Sequence, residues 1–217
     1  MTTETMSYSE IASHLPPRAA VTFQDVSWEE YERLLEEVGE STDLRVTYND
    51  GTLNITTLSS EHESCAAFIN LLVGHISFRL RINIRFFGSA TMKKQTRRKG
   101  SEPDACFYVQ TAPVIGNRMQ IDFAVDPPPD IVVEVDIHHD SRDKFSIYAV
   151  LGVPEIWRYD GKELTIHHLQ EDRYVSVENS LALPVSSRVL TEFLGRLPKD
   201  GESQTLVAFD EWLQSSV

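Results

Sequence analysis

Three ionisable residues, Asp104, Glu134 and Lys144, carry the clearest chemical signal in this sequence. Asp104 stands at the mouth of an apolar run, and Glu134 interrupts a second apolar run near its end. An ionised carboxylate buried without a partner is strongly unfavourable, so a metal ion, a cation or a proton is expected beside Glu134. Lys144 follows in the first turn of the next predicted helix.

Both acids lie near the ends of predicted strands. The β-branched content and the flanking prolines of residues 130–135 predict a strand that is buried on both faces. If this strand is a neighbour of the one predicted at residues 105–109, the two carboxylates converge at one edge of a sheet. There they could hold a hard divalent cation, with Lys144 close enough to contact a water molecule or a phosphate oxygen.

The segment after Glu134 supplies the elements that position the lysine. Residues 142–151 predict a helix, which Gly152 ends and Pro154 prevents from continuing. Residues 155–159 then alternate in polarity and reach Asp160-Gly161, which predicts a strand that enters a hairpin.

Two histidine pairs give weaker signals. His138-His139-Asp140 could bind a metal, but adjacent histidines in a loop point in different directions. His167 and His168 lie in an alternating strand and are interpreted as structural. The sequence contains no glycine-rich phosphate loop and no nucleophile elbow, which disfavours a P-loop enzyme or a serine hydrolase.

His62 and Glu63 lie at the start of the predicted main core helix. Ser60 and Glu63 have the spacing of a capping box, and an acid is favoured in the first turn of a helix. Glu63 is therefore predicted to be a capping partner. The alternative is that His62 and Glu63 support a metal site.

The chain has a net charge of −13 but contains one cluster of basic residues. That net charge argues against a protein that coats nucleic acid, because phosphate affinity is built from clustered Lys and Arg. The cluster, called here the basic segment, consists of Lys93, Lys94, Arg97, Arg98 and Lys99. Two interpretations stay open, a solvated loop and a loop that steers a phosphate backbone.

Length and composition favour one domain. A chain of 217 residues can bury roughly 70% of the surface of its unfolded state. We expect a flexible segment at residues 1–24 and a single domain at residues 25–217. No apolar run approaches the roughly 20 residues of a spanning helix, and residues 1–10 lack the features of a secretory signal, so a cytoplasmic location is expected. Cys65 and Cys106 are expected to be reduced core residues.

Further patterns complete the predicted fold. Ser27 and Glu30 form a capping box that opens a helix, and Asn49-Asp50-Gly51 predicts a hairpin. Additional strands are predicted at residues 82–87, 119–123, 164–169 and 173–177, and short helices at residues 189–194 and 206–213.

The candidate residues stand in motifs that resemble the Uma2 family of restriction-endonuclease-like proteins, a family abundant in cyanobacteria. Tyr48 with the hairpin at Gly51, and His62 at the start of the core helix, are weaker similarities. The resemblance covers residues 27–194, and the motifs that carry it are Pro103-Asp104, residues 129–136, residues 143–149 and residues 151–160.

The resemblance implies an α/β restriction-endonuclease-like fold of the PD-(D/E)XK superfamily, with a central mixed β-sheet flanked by α-helices. It also implies that Asp104 and Glu134 are the two acids, and that the carbonyl of Val135 is a further metal ligand. The superfamily lysine should stand two residues after the second acid, where this sequence has Asp136. Lys144 matches the position to which family members move that lysine, and Asp136 could add a third carboxylate.

The implied activity is hydrolysis of phosphodiester bonds in nucleic acid, with DNA as the expected substrate and Mg²⁺ or Mn²⁺ as the cofactor. Two alternatives stay open. One is a binding module that keeps the fold without catalysis, in which Glu134 is protonated or forms a buried ion pair with Lys144. The other is a metal hydrolase of a small phosphoester. A homodimer through the edge strands at residues 164–177 also stays open.

Overall fold

The computed structural model describes residues 6–39 and 43–216. Its helices are α1 (Tyr8–Ser13), α2 (Trp28–Val38), α3 (Ser60–Leu80), α4 (Ala112–Ile115), α5 (Arg142–Leu151) and α6 (Ser187–Ser216). Its strands are β1 (Ala20–Phe23), β2 (Leu44–Asn49), β3 (Thr52–Thr57), β4 (Arg85–Phe86), β5 (Met92–Lys94), β6 (Lys99–Ser101), β7 (Ala105–Tyr108), β8 (Ile131–Val135), β9 (Glu155–Tyr159), β10 (Leu164–Gln170) and β11 (Arg173–Val177).

The central sheet is mixed and has the strand order β11-β10-β9-β8-β7-β4. β8 and β9 run parallel and are joined through α5, whereas the other pairings are antiparallel. A parallel pair needs a crossover connection, which α5 provides. β8 is buried along its whole length, as the apolar pattern predicted.

The second sheet is antiparallel and has the order β1-β3-β2-β6-β5. One of its faces packs against α2, where the rings of Tyr31 and Tyr48 stack with centroids 4.8 Å apart. Gly100 is required on this face, because a Cβ built there would lie 2.2 Å from the hydroxyl oxygen of Tyr31. The opposite face of the sheet is polar and points toward β8 and α5.

The largest apolar core lies between the central sheet and the helices α3 and α6. α6 contains a break at Gly201, whose φ of 75° and ψ of 168° are not helical. Its two halves correspond to the two short helices predicted for the tail. His75 and Arg79 of α3 both bind Asp210 of α6, which ties the two helices together.

Several sequence predictions are confirmed. Asn49-Asp50-Gly51 joins β2 and β3, and Asp160-Gly161 joins β9 and β10. Ser27 and Glu30 form the predicted capping box of α2. Cys65 and Cys106 are both free thiols. No helix in the described part of the chain is long and apolar enough to cross a membrane.

Other predictions are wrong. The basic segment is a β-hairpin of β5 and β6 joined by a 3₁₀ turn at Gln95–Arg97, not a loop. The strand predicted at residues 82–87 is reduced to β4, and the described residues at 119–123 form no strand.

The segment expected to be flexible, residues 1–24, contains α1 and β1. β1 pairs with β3, so Ala20–Phe23 belongs to the second sheet. Residues 1–5 lie outside the described residues. The assignment of residues 25–217 to a single domain stays a prediction.

Candidate active site

The antiparallel pairing of β7 and β8 brings the two predicted acids to one end of the central sheet. Asp104 immediately precedes β7, and Glu134 lies near the end of β8. The backbone amide of Val135 donates a hydrogen bond of 2.8 Å to Asp104 Oδ2. The carboxylate of Asp104 therefore folds across the end of the strand that carries Glu134.

Glu134 is almost fully buried, with 2% of its surface exposed. Lys144 donates a hydrogen bond of 2.8 Å from Nζ to Glu134 Oε2, and Tyr148 donates from its hydroxyl to Oε1. Lys144 and Tyr148 are four residues apart on α5, so both point from the same face of that helix. The hydroxyl of Ser101 in turn donates to the hydroxyl of Tyr148. Both oxygens of the Glu134 carboxylate thus accept hydrogen bonds from α5.

Asp104 is held by two basic side chains. His62 donates from Nε2 to Asp104 Oδ2 over 3.0 Å, and Arg45 donates from Nε to Oδ1 over 3.1 Å. Glu63 lies outside this pair, with its Oε1 3.4 Å from His62 Nδ1 and 3.6 Å from Arg45 Nη2. His62 therefore contacts the first predicted acid directly, and Glu63 lies at the rim beside His62 and Arg45.

The capping role predicted for Glu63 is wrong. The N-cap of α3 is Ser59, one residue earlier than the pattern suggested, and its side chain accepts from the amide of His62. Glu63 is thereby free of the helix end and lies against His62 and Arg45 instead.

The two acids have opposite electrostatic environments. Burial raises the pKa of Glu134 to about 7, and the charge of Asp104 adds to this, although Lys144 partly offsets it. Burial also acts to raise the pKa of Asp104, but His62, Lys144 and Arg45 together hold that pKa below its ordinary value. Two nearby carboxyl groups with separated pKa values are typical of functional sites.

His62 is linked to this pair. Burial acts to lower its pKa, but the hydrogen bond and the charge of Asp104 outweigh burial and raise it. The positive charge of Arg45 opposes that rise.

The donor set suits a hard divalent cation that keeps most of its ligands as water or substrate oxygen. Mg²⁺ is usually held by one or two carboxylates together with phosphate oxygens. Asp104 and Glu134 supply two such carboxylates at one place. The described residues contain no cluster of three or more His, Cys, Asp or Glu side chains that could hold a metal.

Asp136, two residues after Glu134, has other partners. Its Oδ2 accepts from Nε of Arg158 and from the amide and the hydroxyl of Ser141. Asp136 and Val135 both line the cleft described below, and within the described residues Asp136 makes no hydrogen bond to Asp104 or Glu134.

A cleft of about 600 Å³ lies in front of the acids. One wall is formed by the loop after β8 and the start of α5, including His138, His139 and Lys144. The other wall is the polar side of the second sheet. We call it the cleft face, and its residues are Ala20, Thr22, Arg45, Thr47, Asn49, Thr52, Asn54 and Thr56.

The basic segment is divided between the two sides of the second sheet. Lys93 pairs with Glu32 of α2 over 2.9 Å, and Arg98 pairs with Asp50 over 2.9 Å. Lys99 instead donates to Asn49, which belongs to the cleft face. Because Lys94 lies opposite Lys99 in the β5–β6 pair, it has the same orientation. Arg97 is exposed in the 3₁₀ turn.

The sequence analysis missed Arg45 and Tyr148. Arg45 lies in a strand next to the buried Val46 and gives no sign of its partner, which is distant in sequence. Tyr148 lies within the helix predicted at residues 142–151. Its spacing of four residues from Lys144 was the signal that could have identified it.

Comparisons with known proteins agree with this architecture. The model of the Uma2 family, described as putative restriction endonuclease, matches residues 28–195. A crystal structure of a putative nuclease belonging to DUF820 from Anabaena variabilis ATCC 29413 aligns with a TM-score of 0.51 and 15% sequence identity, covering 78% of this chain and 99% of that one. At this identity the likeness shows the fold alone. No curated protein matches the chain.

Proposed function

The chain belongs to the Uma2 family, and we propose that it is a metal-dependent endonuclease that hydrolyses phosphodiester bonds in nucleic acid, with DNA as the expected substrate. Its family and its fold support a nuclease-like function. The observation that carries the finer proposal is the convergence of Asp104, Glu134 and Lys144 at one end of the central sheet, in front of a cleft.

Asp104 and Glu134 would hold Mg²⁺ or Mn²⁺ through their carboxylate oxygens, with the carbonyl of Val135 and, once it has left Arg158, Asp136 as further oxygen ligands. When bound, such an ion supplies Lewis acidity to a phosphodiester and to a water molecule. His62 and Arg45 keep Asp104 ionised and fixed in orientation.

Lys144 has a different part in this proposal. It carries a proton on Nζ, and α5 places it beside Glu134. From there the ammonium group can donate to a phosphate oxygen or orient a water molecule, which stabilises charge that develops in the transition state. The basic segment would add long-range attraction to the nucleic-acid backbone.

A second candidate function is supported by the same contacts. Each oxygen of Asp104 and Glu134 already accepts a hydrogen bond from a protein group. A site that is satisfied in this way can serve as a structural ion-pair network in a protein-binding module without catalysis.

Nicking of supercoiled plasmid in low salt with Mn²⁺ or Mg²⁺ separates the two functions. The variants are Asp104→Asn and Glu134→Gln, which keep side-chain volume. The matched control is Asp130→Asn, since Asp130 is a buried carboxylate that binds Val109 and Thr111 away from the cleft. We expect nicking by the wild type and by the folded control but not by the two site variants. Equal nicking by all four proteins, or none by the wild type, would contradict the proposal.

A homodimer remains part of the proposal. β11 is an edge strand of the central sheet and leaves Val175 exposed, so a second copy could pair with it. Light scattering during size-exclusion chromatography distinguishes a monomer from a dimer.

A further inference from the structure

The cleft face of the second sheet has an unusual composition. Threonine is common in strands, and Asn49 ends β2 at the hairpin turn to β3. Asparagine is depleted inside strands, so strand stability alone does not account for Asn54. Among the described residues that line the cleft from β1, β2 and β3, none is acidic. This is notable in a chain with a net charge of −13.

The opposite wall of the cleft carries charges of both signs. Asp136, Asp140 and Asp143 line it from the loop after β8 and from the start of α5. Asp136 is paired with Arg158 and Asp140 with Arg142, and Lys144 also lines this wall. The cleft face is therefore the side of the cleft that offers hydrogen-bond donors without any carboxylate beside them.

The cleft face also presents hydrogen-bond donors without partners. Lys99 donates to Asn49 Oδ1, and because a lysine can only donate, the amide nitrogen of Asn49 must point elsewhere. Thr22 donates to Asn54 Oδ1 over 2.9 Å, so the amide nitrogen of Asn54 also points away from that partner. Within the described residues, neither amide nitrogen donates a hydrogen bond. Asparagine amides and threonine hydroxyls are groups that proteins commonly use on phosphate and sugar oxygens.

The cleft face is continuous with the acid pair. Lys99 and Asn49 lie at one end of β2, and Arg45 lies toward the other end, where it contacts Asp104 over 3.1 Å. The volume of the cleft is that of a pocket for a small ligand, on the order of 300–1,000 Å³. It therefore admits a short stretch of one strand.

We infer that the cleft face binds the sugar-phosphate backbone of one nucleic-acid strand and leads it past Asp104 and Glu134. The inference rests on the proposed function and deepens it. Thr47, Asn49 and Asn54 hold the substrate, and Lys99 and Arg45 supply positive charge at the two ends of the row.

The test is a binding measurement on the double variant Thr47→Val/Asn54→Val, which removes two polar groups and keeps strand-forming side chains. Fluorescence anisotropy would follow labelled single-stranded DNA and RNA of about 12 nucleotides, a length typical of single-strand sites. Both proteins would carry Glu134→Gln to prevent cleavage. The expected result is a Kd raised about tenfold, the effect of losing one or two neutral hydrogen bonds.

Two further proteins serve as controls. Ser176→Ala removes an exposed hydroxyl from β11, far from the cleft, and should bind like the parent protein. Thr47→Ser/Asn54→Ser keeps a hydrogen-bonding group at both positions and should recover most of the affinity. In the active background, Thr47→Val/Asn54→Val should raise KM and leave kcat unchanged.

Each outcome decides the inference. Weaker binding of either oligonucleotide by the double variant, with an unchanged melting temperature, supports it, and the DNA and RNA arms show which backbone is held. Equal binding by the double variant and its parent overturns the inference and leaves the proposed function intact. No binding of either oligonucleotide by the parent also overturns the inference, and plasmid nicking then decides the proposed function separately.

Discussion

Nζ of Lys144 lies 2.8 Å from Oε2 of Glu134, so a lysine on α5 neutralises an acid on β8. The position two residues after the acid is occupied by Asp136, which binds Arg158 instead. The positive charge beside Glu134 therefore comes from the following helix and not from the strand that carries the acid.

The first prediction concerns Lys144→Met. In this variant Glu134 stays buried without its cation, and its pKa rises further because Lys144 no longer lowers it. When the pKa of a carboxyl group is higher in the folded than in the unfolded state, the protein becomes less stable as the pH rises above the unfolded-state pKa. We expect a loss of up to about 3 kcal/mol at alkaline pH and a smaller loss near pH 5, where Glu134 is protonated in both proteins. Urea unfolding at the two pH values measures this, and equal losses would contradict the role of the pair.

The second prediction concerns Arg45→Gln. The positive charge of Arg45 opposes protonation of His62. Its removal should therefore raise the pKa of His62, which an NMR titration of the ring protons can follow. Arg158→Gln is the control, since Arg158 pairs with Asp136 and should leave the His62 titration unchanged. An unchanged or lowered His62 pKa in Arg45→Gln would show that the two side chains are not coupled.

The third prediction concerns the clamp between α3 and α6. Hydrogen bonds from Arg79 and His75 hold the pKa of Asp210 well below its usual range. A depressed carboxyl pKa contributes stability above the unfolded pKa, near 4, and that contribution is lost as pH falls. Asp210→Asn should therefore lower the melting temperature at neutral pH, with the difference shrinking in acid. Asp200→Asn, which breaks only a surface pair with Arg196, should change little.

The fourth prediction distinguishes the ion-paired residues of the basic segment from the unpaired ones. Lys93 and Arg98 are paired with Glu32 and Asp50, whereas Lys94 and Arg97 are exposed and form no ion pair with the described residues. Lys94→Gln/Arg97→Gln should reduce the slope of log affinity against log salt by about 0.7–0.9 for each phosphate that the variant no longer neutralises. Lys93→Gln/Arg98→Gln should reduce it less. Oligonucleotide binding measured at several salt concentrations distinguishes the two, and equal slopes would show that the existing ion pairs do not matter.

The convergence of Asp104, Glu134 and Lys144 could be predicted because each signal is local. An acid at the mouth of an apolar run, an acid inside a second run and a lysine in the next helix are visible in the sequence. The prediction also assumed that the two strands are neighbours in the sheet. β7 and β8 do pair with each other.

The remainder of the site depends on how the two sheets are placed relative to each other. Arg45 and Asp104 are far apart in sequence, and no local pattern links β2 to the mouth of β7. The cleft face was likewise not predicted, because alternating threonines also suit an ordinary solvent-exposed face. The basic segment was predicted to be a loop because its run of charged residues shows no strand pattern. In the structure it is a hairpin whose Gly100 packs against Tyr31.

Calorimetric titration of Mn²⁺ into the protein, without nucleic acid, tests the central claim most directly. Metal binding needs ionised carboxylates, and burial raises the pKa of Glu134 to about 7. We therefore predict binding to the wild type that strengthens from about pH 6 to about pH 8, is retained in Asp130→Asn and is lost in Glu134→Gln. Absence of binding to the wild type, or equal binding to Glu134→Gln, would contradict a metal site at Asp104 and Glu134.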